Sequence, residues 1–416
     1  SNYRGWPRTV TFFEDRLMFG GNINQPDTIW GSVTGDYANM TAGPDDDEAV
    51  IFTLTSRQVN VIEWLVGKDK LLIGTSGGEW TIAGGTDEPL TPSNVIAKQH
   101  STYGSANLQA TLANESVLFF QRGSEKMREL AYNWELDSYV APDMTILANT
   151  VTDTGITDTA FQRTPNSILW TTRTDGEMPI FSYERSENIT AWSRMITQTN
   201  LAGTLADSDI ESVAVINGDP EDEVWVIVER TIGGAVVRYI EQFQPRDFGD
   251  AEDAIFVDSC VTYIGGTTTA TGLSHLIGQT VAVLGDGAMQ TEATADDFKV
   301  TAGGEITLPA TFTTVQIGLL YEAQLRTMPL SWLGGATIHG KTKRISEVVT
   351  DWYKSGDFSI GRDADTLQTY SITGQTTSVE RKTFPPGFDR NGYIYMYQKS
   401  PEPLTVLAVS AEFNVQ

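Results

Sequence analysis

Gly74-Thr75-Ser76-Gly77-Gly78 carries the G-x-S-x-G spacing with which some hydrolases present a nucleophilic serine on a strand-to-helix turn. Here it lies between two strand-like runs, Leu71-Leu72-Ile73 and Trp80-Thr81-Ile82, with no helical pattern after it. The spacing therefore predicts a hairpin. The histidines His100, His275 and His339 are far apart, and none belongs to an H-x-x-x-H or H-E-x-x-H pair, which argues against a metal site. Asp45-Asp46-Asp47-Glu48 and Asp363-Ala364-Asp365 offer the oxygen ligands that calcium prefers, but both lack the glycine and distal glutamate of a calcium loop. They read as solvated acidic loops. Cys260 is the single cysteine, so no intrachain disulfide forms, and its place between Val257 and Val261 suits a small buried apolar residue. A glycosidase needs two carboxylates at a fixed separation across a cleft, and the sequence singles out no such pair. The 10 Trp and 14 Tyr could stack on sugars, yet many fall inside strand runs and read as packing. Asn39-Met40-Thr41, Asn114-Glu115-Ser116 and Asn188-Ile189-Thr190 match the glycosylation sequon without a secretory signal pattern to give it meaning. The expectation is a non-enzyme with no catalytic, cofactor-binding or metal residues.

What surrounds these residues is a series of hairpins. In Glu223–Ile240, the run Val224 to Val228 is rich in β-branched side chains, Gly233-Gly234 supplies the positive φ of a tight turn, and Ala235 to Ile240 runs back. The same order of strand, turn, strand, turn and strand recurs earlier in the chain. Aligned on the second strand, the copies start at Leu17, Leu71, Val117, Ile168 and Val224, with spacings of 54, 46, 51 and 56 residues. Those spacings are near the period of propeller blades, each a small sheet that must stack on its neighbours to bury its faces. An ordinary run of antiparallel hairpins in sandwiches is the competing arrangement.

After Phe248 the strands become shorter and richer in Gly and Thr. The expected organisation is a propeller-like body over residues 1–250, a small inserted β-sandwich-like domain over 251–336, and C-terminal strands over 337–416 that return to the body. The fold class is thus all-β, an irregular β-propeller-like array of antiparallel blades. Ser1-Asn2 resembles a cloning scar, and the chain begins within a strand pattern, so an N-terminal segment is expected to have been removed.

The 416 residues carry 28 Lys and Arg against 54 Asp and Glu, a formal charge of −26. Residues 1–250 hold 17 basic and 36 acidic side chains, whereas 341–416 are neutral with 9 of each. Such a surface repels nucleic acid and anionic membrane, and no apolar run is long enough for a helical span.

Several long stretches also resemble a known family. They are Trp6-Pro7-Arg8-Thr9-Val10-Thr11-Phe12-Phe13-Glu14-Asp15-Arg16-Leu17-Met18-Phe19-Gly20-Gly21, Gln25 to Ser32, Leu71 to Trp80, Pro92 to Val95, Tyr139 to Asp143, Arg230 to Gly234 and the closing Pro403 to Ala408. Together they resemble the tail tubular, or nozzle, proteins of short-tailed bacteriophages and related prophages. The resemblance implies a virion protein assembled in the host cytoplasm, forming a hexameric ring with copies of itself. It also implies tail adaptor and tail fibre proteins as partners, and a channel through which genome DNA leaves. No cofactor and no catalytic residue come with it. Known relatives extend further at the N-terminus, which puts the ring contacts of this chain in question. A conduit should not hold its cargo tightly, so part of the acidity of residues 1–250 is expected to line the passage, with no individual lining residue singled out. A propeller-based carbohydrate-binding or glycan-cleaving tail protein is the alternative.

Overall fold

The computed structural model describes residues 5–55, 59–85, 88–197, 208–266, 268–294, 296–331, 337–338, 340–372 and 376–415. Ser1, Asn2 and His339 lie outside them. Among the described residues strands make up 49% and helix 2%, so the fold is all-β. By contacts the chain divides into two compact units, Ser1–Met195 with Asp209–Val228, and Ile196–Ser208 with Glu229–Gln416.

The first unit is a propeller-like array of four-stranded antiparallel sheets, each a meander in chain order. The first sheet takes β1 (Thr9–Phe13), β2 (Arg16–Gly20), β3 (Thr28–Gly31) and β4 (Val50–Thr53). The second takes β5 (Ile62–Gly67), β6 (Leu71–Thr75), β7 (Gly78–Ala83) and β8 (Ile96–Gln99). In the third are β9 (Thr111–Ala113), β10 (Ser116–Phe120), β11 (Met127–Asn133) and β12 (Ser138–Val140). The fourth has β13 (Ile156–Gln162), β14 (Ile168–Arg173), β15 (Met178–Glu184) and β16 (Ile189–Met195). A three-stranded sheet follows with β17 (Ser208–Ile216), β18 (Glu223–Ile232) and β19 (Ala235–Gln242), and the division between the units falls within β18. The repeat starts Leu17, Leu71, Val117, Ile168 and Val224 sit at the first or second residue of β2, β6, β10, β14 and β18.

Strand alternation explains the stacking. Successive side chains of a strand point to opposite faces, so an unbroken apolar run must be buried on both. In β6, Leu71 and Ile73 join Phe13, Met18, Ile29 and Val50 of the first sheet in one core. Leu72 between them joins Trp64, Val66, Val117, Phe119 and Leu130 in the next. The third sheet repeats the device: Val117 and Phe119 face the second sheet, while Leu118 and Phe120 pack with Ile156, Leu169, Phe181 and Tyr183 of the fourth. Each side chain so buried contributes roughly 1.5–3 kcal/mol, and no sheet could be stable with these faces in water.

In the second unit, strands Asp258–Ile264, Thr314–Leu319, Ala282–Gly285 and Ala288–Met289 form a sheet in that order, with a two-stranded ribbon of Thr269–Ala270 and Ile306–Thr307. Val283, Phe298, Val300 and Ile317 are among the residues at its core. Two further sheets follow. One orders Ala323–Arg326, Tyr395–Gln398, Phe358–Gly361 and Leu367–Tyr370, and the other places Lys343–Ser355 between Thr376–Thr383 and Thr405–Val415. Ile345, Val348 and Trp352 of the second pack with Phe358, Ile360, Tyr370 and Met396 of the first, as in a small sandwich.

Candidate functional site

Several of the chemistry-bearing residues lie on the seams between sheets of the first unit. Thr9 Oγ1 of β1 accepts from the Leu65 N–H of β5 at 3.2 Å and donates to Gln109 Oε1 at 3.1 Å, while Gln109 Nε2 donates to the Leu65 carbonyl at 3.0 Å. The triangle ties the first and second sheets to the segment just before β9. Farther along the second strand pair, β6 turns directly into β7, so Ser76 sits in a hairpin. Its Oγ accepts the Val61 N–H at 3.0 Å, a structural bond.

Glu79 of β7 is fully buried. Ser105 Oγ donates to its Oε1 at 3.0 Å, and Ser101 Oγ donates to its Oε2. Burial raises the Glu79 pKa, and the two hydroxyls with the nearby Arg128 charge offset only part of that rise. Arg128 itself donates from Nε to Gln121 at 2.8 Å and from Nη1 to the Ala141 carbonyl at 2.6 Å, and its guanidinium lies 3.4 Å from the centre of the Tyr103 ring.

One seam further on, Glu129 of β11 is also fully buried. It accepts from Ser116 Oγ at 2.9 Å, from the Tyr183 hydroxyl of β15 at 2.9 Å, and from Arg185 Nη1. Carboxylates tie the fourth sheet to the following segment in the same way. Asp158 Oδ2 accepts from Ser212 Oγ at 2.6 Å and Val213 N–H at 3.2 Å, and Asp222 Oδ2 accepts from the N–H groups of Arg163 and Thr164 at 2.8 and 3.1 Å. In each case the carboxylate meets donors, whereas a glycosidase pair would have to meet across a space that holds a sugar.

His100, just after β8, lies between the second and third sheets. Its Nε2 is 2.9 Å from Thr81 Oγ1, and its Nδ1 is 3.2 Å from Ser138 Oγ and 3.4 Å from the Tyr139 nitrogen. His275, in the second unit, directs Nε2 to the Ser259 carbonyl at 3.1 Å. Neither histidine is near the other in sequence or shares a partner with it. Among the described residues, no group of three or more His, Cys, Asp and Glu is placed to hold a metal.

The two acidic loops are built by the chain itself. Arg16 is almost completely buried, and its guanidinium donates to the carbonyls of Ser32, Asp46 and Glu48 at 2.7, 2.7 and 2.6 Å. The Asp45–Glu48 loop thus closes around a guanidinium, while Asp45, Asp46 and Asp47 themselves stay exposed. Asp363 Oδ1 accepts from Asp365 N–H at 3.1 Å and Thr366 Oγ1 at 2.8 Å, which closes a local turn. Burial pushes the Cys260 thiol up to about 12. Asn114 and Asn188, from two of the sequons, hold φ of 53° and 57°, left-handed turn positions that asparagine tolerates.

Sequence reasoning missed Arg16, Glu79 and Glu129. Glu79 is a lone charge in a strand pattern, Glu129 stands next to Arg128, and Arg16 closes the charged turn Glu14-Asp15-Arg16, so no residue type or spacing marked any of them as buried. Buried charges in that setting are paired, and here the partners lie 13 to 56 positions away.

No family model matches the chain, and no curated protein matches it. Among solved structures it is similar to Chaetomium thermophilum Raptor, at 13% identity and TM-score 0.34, over 58% of this chain and 21% of that one. It is also similar to the Cps50 (Swd1) β-propeller domain of Myceliophteria thermophila, at 10% identity and TM-score 0.30, over 57% of this chain and 83% of that one. An exo-beta-1,3-galactanase from Phanerochaete chrysosporium is similar at 8% identity and TM-score 0.29, over 97% of this chain and 95% of that one.

Proposed function

We propose that the chain is a structural component of a phage tail, part of the nozzle or distal tail tube through which DNA passes, and that it acts without catalysis. One observation carries this reading: the buried Glu129 and Asp222 and the half-buried Asp158 are consumed in tying one sheet to the next segment, and the buried Glu79 in fixing the chain after β8. The chemistry of the interior is cohesive. The excess negative charge lies mostly in residues 1–250 and suits a passage that repels phosphates instead of binding them. The sequence resemblance to nozzle proteins points the same way. In this reading the partners are further copies in a hexameric ring, the tail adaptor and tail fibre proteins, with DNA passing unbound.

Electron microscopy of purified tails labelled against this chain tests the proposal. Label on the tail axis at its distal end is expected, and label at fibre tips overturns it. The second reading, a carbohydrate-binding or glycan-cleaving tail protein, draws on Trp134, which is 80% exposed beside the half-exposed Tyr132 on the β11–β12 hairpin. Sugar rings stack on such faces. A strong, specific glycan-array signal that Trp134→Ala abolishes favours that second reading.

A further inference from the structure

We propose that His100 is an acid-released latch on the seam between the second and third sheets. The geometry fixes its working state. A backbone N–H can only donate, so the Tyr139 N–H at 3.4 Å makes Nδ1 the acceptor, and Ser138 Oγ at 3.2 Å donates to the same atom. Nε2 therefore carries the proton and donates to Thr81 Oγ1 at 2.9 Å. The His100 N–H is also bound, to the Glu79 carbonyl at 2.9 Å. A neutral imidazole thus bridges β7 and β12, and its ring meets that of Tyr139 edge-on at 5.1 Å.

A second proton would have to enter at Nδ1, where it would confront the Tyr139 N–H. The surroundings give it little help. Lys98 on β8 and Lys70 in the β5–β6 turn both disfavour the cation. The carboxylates on this side are already engaged: Asp69 accepts from the Tyr139 hydroxyl at 3.2 Å and Asp137 from the Tyr132 hydroxyl at 2.6 Å. The Glu79 side chain, on the same strand as Thr81, is turned to Ser101 and Ser105. Burial, with the two lysines, pulls the latched imidazole down to about 4.

An opened seam returns His100 to its ordinary value near 6.5. The open form then takes up the proton that the latched form refuses. The latch is fully closed above about pH 6.5, and opening grows as pH falls through the window down to about 4.

Hydrogen–deuterium exchange on the full chain at pH 7.5 and 4.5, corrected for intrinsic rates, tests this. Segments 96–100 and 138–141 of the wild type should gain exchange on the order of tens-fold at pH 4.5 relative to β13–β15. In His100→Gln, which cannot titrate, that gain should be absent. Equal changes in seam and reference segments, or the same acid gain in His100→Gln, overturn the proposal. Should His100→Gln fail to fold, the wild-type imidazole is titrated by NMR with Ser138→Ala as a reference for assignment. A His100 midpoint near 4 supports the latch, and one near 6.5 overturns it.

Discussion

Glu129 and Tyr183 lie 54 positions apart and meet through a 2.9 Å hydrogen bond between a fully buried carboxylate and a phenol that is 1% exposed. The bond crosses from the third sheet to the fourth at the edge of the apolar cluster to which Tyr183 itself belongs. One side chain therefore serves both layers of the seam. Its ring fills the core, and its hydroxyl satisfies a charge that burial alone would make prohibitive.

Removing the carboxylate should be far more damaging than removing the phenol oxygen. Glu129→Ala leaves Ser116, Tyr183 and Arg185 without their acceptor and should cost about 3–5 kcal/mol, whereas Tyr183→Phe should cost about 1 kcal/mol. Urea unfolding of both variants and of the double variant measures the two costs and their coupling. Nearly additive losses would mean that the bond carries no energy of its own.

Glu79 should make stability depend on pH in a definite direction. Its folded pKa lies above the unfolded value, so the folded state gains at low pH, and that gain is lost as pH rises through the folded pKa. Glu79→Gln should flatten this dependence, with the variant no less stable than wild type near neutrality. At pH 4 the two should converge. Thermal melts of both proteins between pH 4 and pH 8 provide the comparison, and a wild type that gains more than the variant on the alkaline side contradicts the assignment.

The two-residue turn between β18 and β19 should reject β-branched side chains. Gly233 and Gly234 hold φ of 59° and 82°, both in the left-handed region. A Cβ on Gly234 would meet nothing within 4 Å, and one on Gly233 only the Ile277 carbonyl at 3.7 Å. Crowding is thus not the issue, and Gly233→Val and Gly234→Val should each lose about 1–2 kcal/mol through backbone conformation. Unchanged melting temperatures in both would show that the turn has another geometry in solution.

This turn was readable from residue types alone, as were the strand runs of the repeated unit, because local alternation and glycine pairs encode them. Even the double-sided burial of Leu71-Leu72-Ile73 and Val117 to Phe120 follows from an unbroken apolar run. What alternation does not encode is which distant group a buried charge will meet. Nothing in the order of residues links Arg16 to the carbonyls of Asp46 and Glu48, or Glu79 to Ser105, until the sheets have stacked. The same holds for Ala323–Arg326, whose strand partner Tyr395–Gln398 comes about 70 residues later. His100 was visible as a lone histidine. Its two-sided bridge depends on Ser138 and Tyr139, supplied by the neighbouring sheet.

The guanidinium inside the Asp45–Glu48 loop makes that loop indifferent to dissolved ions. A calcium loop acquires its shape only when the ion arrives, and surrenders it to a chelator or to dilution. Arg16 is a cation delivered by covalent bond, keeps its proton across the physiological range, and occupies the carbonyl oxygens that an ion would need. Because it engages the backbone, it orders the loop through main-chain carbonyls and leaves the aspartates presented to solvent. The loop therefore keeps its shape without a bound ion, and salt acts on it only by screening the field of its exposed aspartates.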